Sequence, residues 1–142
     1  MIKSEGQKST QALMKIYNAL QNTNSASGKE RILRRHKNNP LLKMTLYFLL
    51  NPEIKTGITR SKLKKKAEED VQEIVDGMND RIIILLTYLY ENSSGCGIDI
   101  AVCQQFYERY DDATQEFIIS LITKTLKPSI TIRNTNNVWD SF

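Results

Sequence analysis

Residues 39–51 read NPLLKMTLYFLLN, and this stretch decides the fold. Asn39 followed by Pro40 is typical of a helix start, because asparagine caps free N–H groups and proline fits the first turn. Eight of the ten residues from Leu41 to Leu50 are apolar, so this helix has no wide polar face. The Asn-Pro pair that follows ends the helix, because proline cannot continue it without the loss of a hydrogen bond. We therefore predict a central helix that is buried by its neighbours.

The flanking sequence also predicts helices rather than strands. Apolar residues recur at helical spacing in residues 10–20, 71–78, 98–106 and 112–126. The run Ile82-Ile83-Ile84 is compatible with a buried strand, but the length of the segment that contains it favours a helix. Because no alternating strand pattern is present, we predict a compact all-α bundle of roughly six to eight helices. We assign residues 1–142 to one helical domain, with residues 1–9 as a flexible N-terminus.

Composition and hydropathy exclude several classes of protein. Forty per cent of the residues are hydrophobic and 25% are charged, which is typical of a soluble globular domain. The longest apolar runs, residues 46–50 and 82–86, are far shorter than the about 18 residues that a membrane helix needs. The N-terminus lacks the apolar stretch of a secretory signal. We therefore expect a cytoplasmic protein without a membrane partner.

Charge is distributed unevenly between the two halves of the chain. Residues 1–66 contain fifteen Lys or Arg and three acidic residues, a balance of +12. Residues 67–142 contain five Lys or Arg and thirteen acidic residues, a balance of −8. The first half is more basic than solubility requires, and such a segment attracts polyanions. The asymmetry favours binding to nucleic acid or another anionic surface, although the two halves could also neutralise each other in the fold.

No catalytic or metal-binding constellation is evident in the sequence. A catalytic serine or cysteine usually needs a histidine base, and the single histidine, His36, lies in a basic stretch where a surface or phosphate-facing role suits it better. Cys96 and Cys103 are too few for a disulfide framework, and with one histidine they do not make a zinc site. A Gly-rich phosphate loop of the Walker type is also missing. We therefore predict no catalytic residues, no metal site and no cofactor in this chain.

Two segments combine small or hydroxyl residues with basic neighbours, each ahead of a helix. Residues 55–60 read KTGITR and lead into the short basic helix that we predict from Ser61 to Glu69. Residues 124–131 read KTLKPSIT and lead into IRNT. Helix N-termini and hydroxyl groups hold phosphates, and lysines release counterions from nucleic acid. The lysines alone are equally typical of a solvated helix, but two such segments in one small domain favour phosphate binding.

The order and spacing of several short segments carry a family resemblance. The chain contains IYNAL (16–20), SGKERIL (27–33), NPLLK (39–43), LYFLLNP (46–52), KTGI (55–58), LYENSSG (89–95), DIAV (99–102), ITKTLK (122–127) and NNVW (136–139). Together they resemble the N-terminal DNA-binding domain of ATP-dependent DNA ligases, closest to the bacteriophage and prophage type. The resemblance covers residues 12–139, nearly the whole chain.

The resemblance implies a function for the two basic segments. In such ligases this helical domain lies along the minor groove on both sides of a nick and binds sugars and phosphates. Carried over to this sequence, the DNA-contacting residues are Lys55, Thr56, Gly57, Ile58, Lys62, Lys65, Lys124, Lys127, Ser129, Thr131 and Arg133. The chain departs from the family at Pro128-Ser129, where an aliphatic residue and a glycine are usual. It also reads Arg133-Asn134-Thr135 where the family favours Lys-Thr-Ile.

The resemblance also implies that the chemistry of ligation lies elsewhere. The family's adenylylated lysine belongs to a Lys-x-Asp-Gly motif of the nucleotidyltransferase domain that follows. The Asp-Gly pair of this chain is Asp76-Gly77, with Ile74 at the position of the lysine. ATP and Mg²⁺ would belong to that catalytic domain, so the chain alone is predicted not to be an enzyme. The expected partners are nicked double-stranded DNA and the ligase catalytic domains, with roles in DNA replication, repair and recombination.

Two other functions stay open on the sequence alone. A small helical, sequence-specific DNA-binding regulator would need a recognition helix with base-reading Arg, Asn or Gln side chains. Residues 61–66 are instead rich in lysine, which suits phosphates better. A helical protein-interaction module would use the basic half to bind an acidic partner, and it would not bind DNA at physiological salt.

Overall fold

Nine helices form the part of the chain that the computed structural model describes, residues 3–92 and 95–140. In chain order they are α1 (Glu5–Gln21), α2 (Ala26–Arg35), α3 (Pro40–Leu50), α4 (Arg60–Lys64), α5 (Gln72–Asp76), α6 (Ile82–Glu91), α7 (Gly97–Tyr107), α8 (Asp112–Ile122) and α9 (Ile132–Val138). These residues contain no strand, so the predicted all-α class is confirmed. The helix count is slightly above the predicted six to eight. The tail contributes α9, which begins at a capping box of Thr131 rather than at an apolar stripe.

The central helix α3 begins where the sequence indicates. Asn39 Oδ1 accepts hydrogen bonds from the N–H groups of Leu41 (3.0 Å) and Leu42 (3.4 Å) behind the proline of the first turn. α3 packs against α6 and buries its Leu42 side. The other side is open, because Met44 and Tyr47 are each 46% exposed. The helix is therefore central in the fold but buried on one side only.

The first helix begins earlier than its apolar stripe. Ser4 Oγ accepts a hydrogen bond from the Gln7 N–H, and the Gln7 side chain accepts one from the Ser4 N–H. This reciprocal pair satisfies two N–H groups at the helix start. Residues 5–9 are therefore helical, and the expectation of a flexible segment 1–9 is corrected over that range. Residues 1–2 lie outside the described residues.

One hydrophobic core runs through both halves of the sequence. α1 packs against α2 and α8, α9 packs against α2, and α7 packs against α4, α5, α6 and α8. Leu13, Leu33, Leu85 and Ile118 are fully buried, and burial of such side chains contributes about 1.5–3 kcal/mol each. The basic half and the acidic half thus share a core. Among the described helices, none combines the length and the apolar character that crossing a bilayer requires.

Candidate nucleic-acid interface

The first basic loop, residues 55–60, is anchored by alternate side chains. Thr56 and Ile58 are buried, whereas Lys55 and Gly57 lie at the surface. Thr56 Oγ1 donates to the carbonyl oxygen of Ile122 (2.8 Å) and accepts from the Ile58 N–H (3.2 Å). Gly57 has φ 70°, a left-handed conformation that glycine adopts without steric cost. The side chains of Thr56 and Ile58 therefore anchor the loop and Lys55 and Gly57 form its accessible part, and DNA contact by these four residues stays a prediction.

The second basic loop, residues 124–131, begins with a lysine whose charge points inward. Lys124 Nζ donates to the carbonyl oxygens of Asn51 (2.7 Å) and Ile54 (2.6 Å) and lies 5.5 Å from the centroid of the Phe48 ring. Burial lowers the pKa of Lys124 from its ordinary value, because the charged form loses water. The ammonium group of the half-buried Lys124 therefore satisfies two backbone carbonyls at and just after the end of α3, and its contact with DNA stays a prediction.

The two basic loops lie next to each other. The Thr56 hydroxyl bonds to the last residue of α8, and the Lys124 ammonium reaches back to residue 54. Arg60 Nη2 adds a third link, with 3.3 Å to Thr125 Oγ1. These hydrogen bonds connect positions more than sixty residues apart in the sequence. The structure thus brings together the two segments that the sequence singles out separately.

The exposed part of the second basic loop is a left-handed turn. Lys127, Ser129 and Thr131 are exposed, while Pro128 and Ile130 between them are buried. The carbonyl oxygen of Lys127 accepts a hydrogen bond from Gln21 Nε2 at the end of α1 (3.0 Å). Ser129 has φ 62°, a conformation that favours glycine. The position where the family usually has glycine therefore keeps a glycine-like backbone here, with a hydroxyl group at the surface.

The two helices that follow the basic loops offer less to a phosphate than the sequence suggests. α4 has five residues and α9 has seven. Their first turns are already capped, because the Thr59 side chain accepts from the Lys62 N–H and the Thr131 side chain accepts from the Asn134 N–H. The predicted helix from Ser61 to Glu69 is corrected to Arg60–Lys64. Phosphate contacts at this surface would therefore come mainly from lysine and arginine side chains.

Most of the predicted cationic contacts are accessible. In residues 3–92 and 95–140, the exposed side chains of Lys55, Lys65, Lys127 and Arg133 form no ion pair. Lys62 is also exposed, and its ammonium donates to the Gly57 carbonyl oxygen (2.7 Å).

Acidic residues flank the basic segments. Glu116 pairs with Arg60 (2.8 Å), Glu53 is exposed just before the first basic loop, and Glu68, Glu69 and Asp70 are exposed just after the lysines. The lysines at 55, 62, 64, 65 and 66 are exposed. Basic side chains thus outnumber acidic ones over residues 53–66, and an acidic stretch follows directly.

A second basic region adjoins this surface through α9. α9 packs against α2, where Arg31, Arg34 and Arg35 are exposed. Glu30 Oε2 accepts hydrogen bonds from Asn134 Nδ2 (3.0 Å) and Asn137 Nδ2 (3.1 Å), and these bonds lower the pKa of Glu30. Glu30 also pairs with Arg34 (3.5 Å), whereas Arg31 and Arg35 form no ion pair in the part of the chain that the structure describes. The sequence marks residues 34–37 as basic, but it gives no sign that this stretch contacts the end of α9, where Arg34 Nη2 donates to the Asn137 carbonyl oxygen (3.4 Å).

The described residues hold no group of three or more His, Cys, Asp or Glu side chains arranged to bind a metal ion. Comparisons with protein-family models, with curated proteins and with solved structures give no match to this chain. The resemblance to the ligase DNA-binding domain therefore rests on the sequence motifs alone.

Proposed function

We propose that this chain binds duplex DNA around a nick through the sugar–phosphate backbone, as the N-terminal DNA-binding domain of an ATP-dependent DNA ligase. The observation that carries the proposal is the direct contact between the two basic loops. A single basic loop is ordinary solvated surface, whereas two adjacent loops with Lys55 and Lys127 exposed, together with Lys65 after α4, can meet several phosphates at once.

The chemistry of the surface supports backbone contacts over base reading. Lysine is a point charge on a flexible stem, whereas base recognition uses bidentate groups such as arginine, asparagine or glutamine. The exposed cations of the first basic loop and α4 are mostly lysines. We therefore expect little sequence preference, which is what a protein that acts at nicks in any sequence requires.

Binding to nicked DNA tests the proposal directly. The equilibrium constant is measured at several salt concentrations for a duplex with one central nick and for the same duplex intact. Each neutralised phosphate contributes about −0.9 to the slope of log K against log salt, so a slope of about −3 or steeper is expected. A slope near zero would reject the proposal and favour the protein-interaction module. Binding confined to one sequence would favour the regulator.

The catalytic steps of ligation are assigned to other domains. Ile74 lies three residues before Gly77, where a Lys-x-Asp-Gly motif would have its lysine. Incubation with labelled ATP and Mg²⁺ is expected to leave the chain unlabelled. A covalent AMP adduct would show that a nucleophile has been missed.

A protein-interaction surface is a second candidate, favoured by a separate observation. An apolar groove of about 380 Å³ lies between α3 and α6, and Met44, Tyr47 and Tyr90 of its lining are 46%, 46% and 60% exposed. Large apolar side chains grouped at a surface are typical of interaction sites. The ligase catalytic domains are the partner that the family resemblance implies. Added nucleotidyltransferase and OB domains are expected to bind the wild-type chain more tightly than Tyr90→Arg, and equal binding would reject this candidate.

A further inference from the structure

A glutamine in the acidic half of the chain binds the backbone of the lysine-rich segment at the end of α4 and just after it. Gln104 lies in α7 and is 4% exposed. Its Nε2 donates to the carbonyl oxygens of Leu63 (3.2 Å) and Lys65 (2.9 Å), and its Oε1 accepts from the Ala67 N–H (2.8 Å). Both amide hydrogens and the amide oxygen are thus directed at one short stretch of backbone.

This stretch has little other support. Within the described part of the chain, residues 65–70 make no backbone–backbone hydrogen bond, and the one other glutamine bond to their backbone is from Gln105 Nε2 to the Glu69 carbonyl oxygen (3.3 Å). Lys64, Lys65 and Lys66 are consecutive and exposed, so their charges repel one another. The side chain of Gln104 is therefore the main polar support of the backbone that carries Lys65.

The residue Gly95 of the acidic half also lies against the first basic loop. Gly95, which precedes α7, lies so close to Gly57 that a Cβ there would be 2.5 Å from the Gly57 carbonyl oxygen and 3.1 Å from Lys62 Nζ. α7 itself packs against α4. The loop and the lysine segment are thus both supported by α7 and the residues just before it.

We propose that Gln104 is a positioning residue for DNA binding, which holds Lys65 and its neighbours in place beside the first basic loop. The inference rests on the proposed function. Gln104 does not itself contact DNA, because its amide group is buried and fully used by the protein. It acts through the backbone of Lys65, so its removal should change how many phosphates the protein engages.

The test substitution is Gln104→Met, which keeps the length of the side chain and removes its hydrogen bonds. The dissociation constant for nicked duplex is expected to rise about five- to tenfold, and the salt slope to become less steep by about 1–2, the equivalent of one or two phosphates. Gln115→Met is the matched control, because Gln115 of α8 also donates its amide to a backbone carbonyl, that of Tyr110 (2.7 Å), and makes no hydrogen bond to residues 63–70 in the described part of the chain. Its dissociation constant is expected to stay within about twofold of the wild type.

Measuring Gln104→Met in a second protein, one that carries Lys65→Gln, distinguishes a positioning role of Gln104 from a general loss of structure. If Gln104 acts through Lys65, the effect of Gln104→Met in a Lys65→Gln protein is expected to fall below about twofold, because coupled residues are not additive. Independent, multiplicative effects would overturn the inference. Should Gln104→Met fail to fold, Gln104→Glu is measured in its place, since it keeps the acceptor for Ala67 and loses both donors.

The outcomes distinguish this inference from the proposed function. A wild-type protein without salt-dependent binding would reject the proposed function and the inference with it. A wild-type protein that binds, with a Gln104→Met variant of unchanged affinity and slope, would reject the inference alone. Hydrogen exchange in the wild type gives a check without variants: the Ala67 amide is expected to be protected, and exchange as fast as in an unfolded chain would overturn the role of Gln104.

Discussion

Gly57 and Ser129 each adopt a left-handed backbone conformation in the exposed part of a basic loop, with φ 70° and φ 62°. This conformation costs a residue that has a Cβ about 1–2 kcal/mol of stability, whereas glycine adopts it without that cost. Gly57 therefore suits its position, and Ser129 is under strain. Burial of the neighbouring Pro128 and Ile130 holds Ser129 in this strained conformation.

The substitutions Gly57→Ala and Ser129→Gly are expected to change the free energy of unfolding in opposite directions. Gly57→Ala should lower the free energy of unfolding by about 1–2 kcal/mol. Ser129→Gly should raise it by up to about 1 kcal/mol, because relief of strain exceeds the added freedom of the unfolded chain. Urea denaturation measures both. A Gly57→Ala protein as stable as the wild type would contradict the loop conformation described above.

Asp111 caps the start of α8 and makes the stability of the protein depend on pH. Its carboxylate accepts hydrogen bonds from the N–H (2.9 Å) and the hydroxyl (2.8 Å) of Thr114, and these bonds hold the pKa of Asp111 below its ordinary value. The folded carboxyl therefore binds a proton less readily than the unfolded one. Its contribution to stability is present above the unfolded pKa of about 4 and is lost as the pH falls through the lower folded pKa.

Asp111→Asn separates the cap from its titration. Asparagine keeps an oxygen acceptor for the helix start but has no carboxyl to protonate. The variant is expected to lose less stability than the wild type as the pH falls from about 4 to about 2. Thermal melting at pH 7 and over that acid range measures the difference. Identical acid losses in the two proteins would contradict the role of Asp111.

At the scale of elements, the end of α3, the end of α8 and the two basic loops form one unit. Lys124 Nζ satisfies the carbonyl oxygens of Asn51 and Ile54, and Thr56 Oγ1 satisfies that of Ile122. Unpaired backbone carbonyls at helix ends lower stability, so each side chain supports the element opposite its own. Two lysines of the second basic loop consequently have different roles, Lys124 within the protein and Lys127 at the surface.

The lysine pair provides a test of this division. Lys124→Met should lower the free energy of unfolding by about 1–3 kcal/mol, because two carbonyl groups lose a charged partner. Lys127→Met should leave stability within about 0.5 kcal/mol and raise the dissociation constant for nicked duplex about two- to fivefold. Denaturation and DNA titration of both variants are compared. The reverse pattern would contradict the assignment of Lys124 as internal.

Local signals predict the helices better than they predict the site. Asn39 and Pro40 mark the start of α3 because the groups that cap a helix lie within one turn of it. The end of α4 is missed because Gln104, about forty residues away in sequence, binds the backbone at 63–67. The inward direction of Lys124 is missed for the same reason, since its acceptors belong to α3 and the residues after it. Sequence patterns identify both basic loops, but only tertiary contacts show which of their residues are accessible.

At the scale of the whole molecule, the exposed cations lie on elements from both halves of the sequence, because the second basic loop and α9 belong to the acidic half. α2, α9, the two basic loops and α4 contact one another in series and carry most of the exposed cations. The acidic half supplies α7 and α8, which support these elements from within the fold. A concentrated basic surface attracts DNA more strongly than the net charge of +4 alone would suggest.

Charge reversal at Lys62 and Lys65 needs a control with the same change in net charge. Lys8→Glu with Arg81→Glu provides it, because both residues are exposed and lie near the start of α1. Gly6 of α1 approaches the carbonyl groups of Asn79 and Asp80, which places Arg81 at that end. Gln21, which contacts Lys127, lies at the other end, about 20 Å away along the helix.

The most direct measurement of the central claim is therefore the salt dependence of nicked-duplex binding by these two double variants and the wild type. Lys62→Glu with Lys65→Glu is expected to raise the dissociation constant at least about tenfold on every sequence tried and to make the salt slope less steep by about 2. The control pair is expected to stay within about threefold of the wild type with an unchanged slope. Equal losses in both pairs, or no loss in the first, would contradict the claim that the basic loops and the lysines of the adjoining α4 segment hold the DNA backbone.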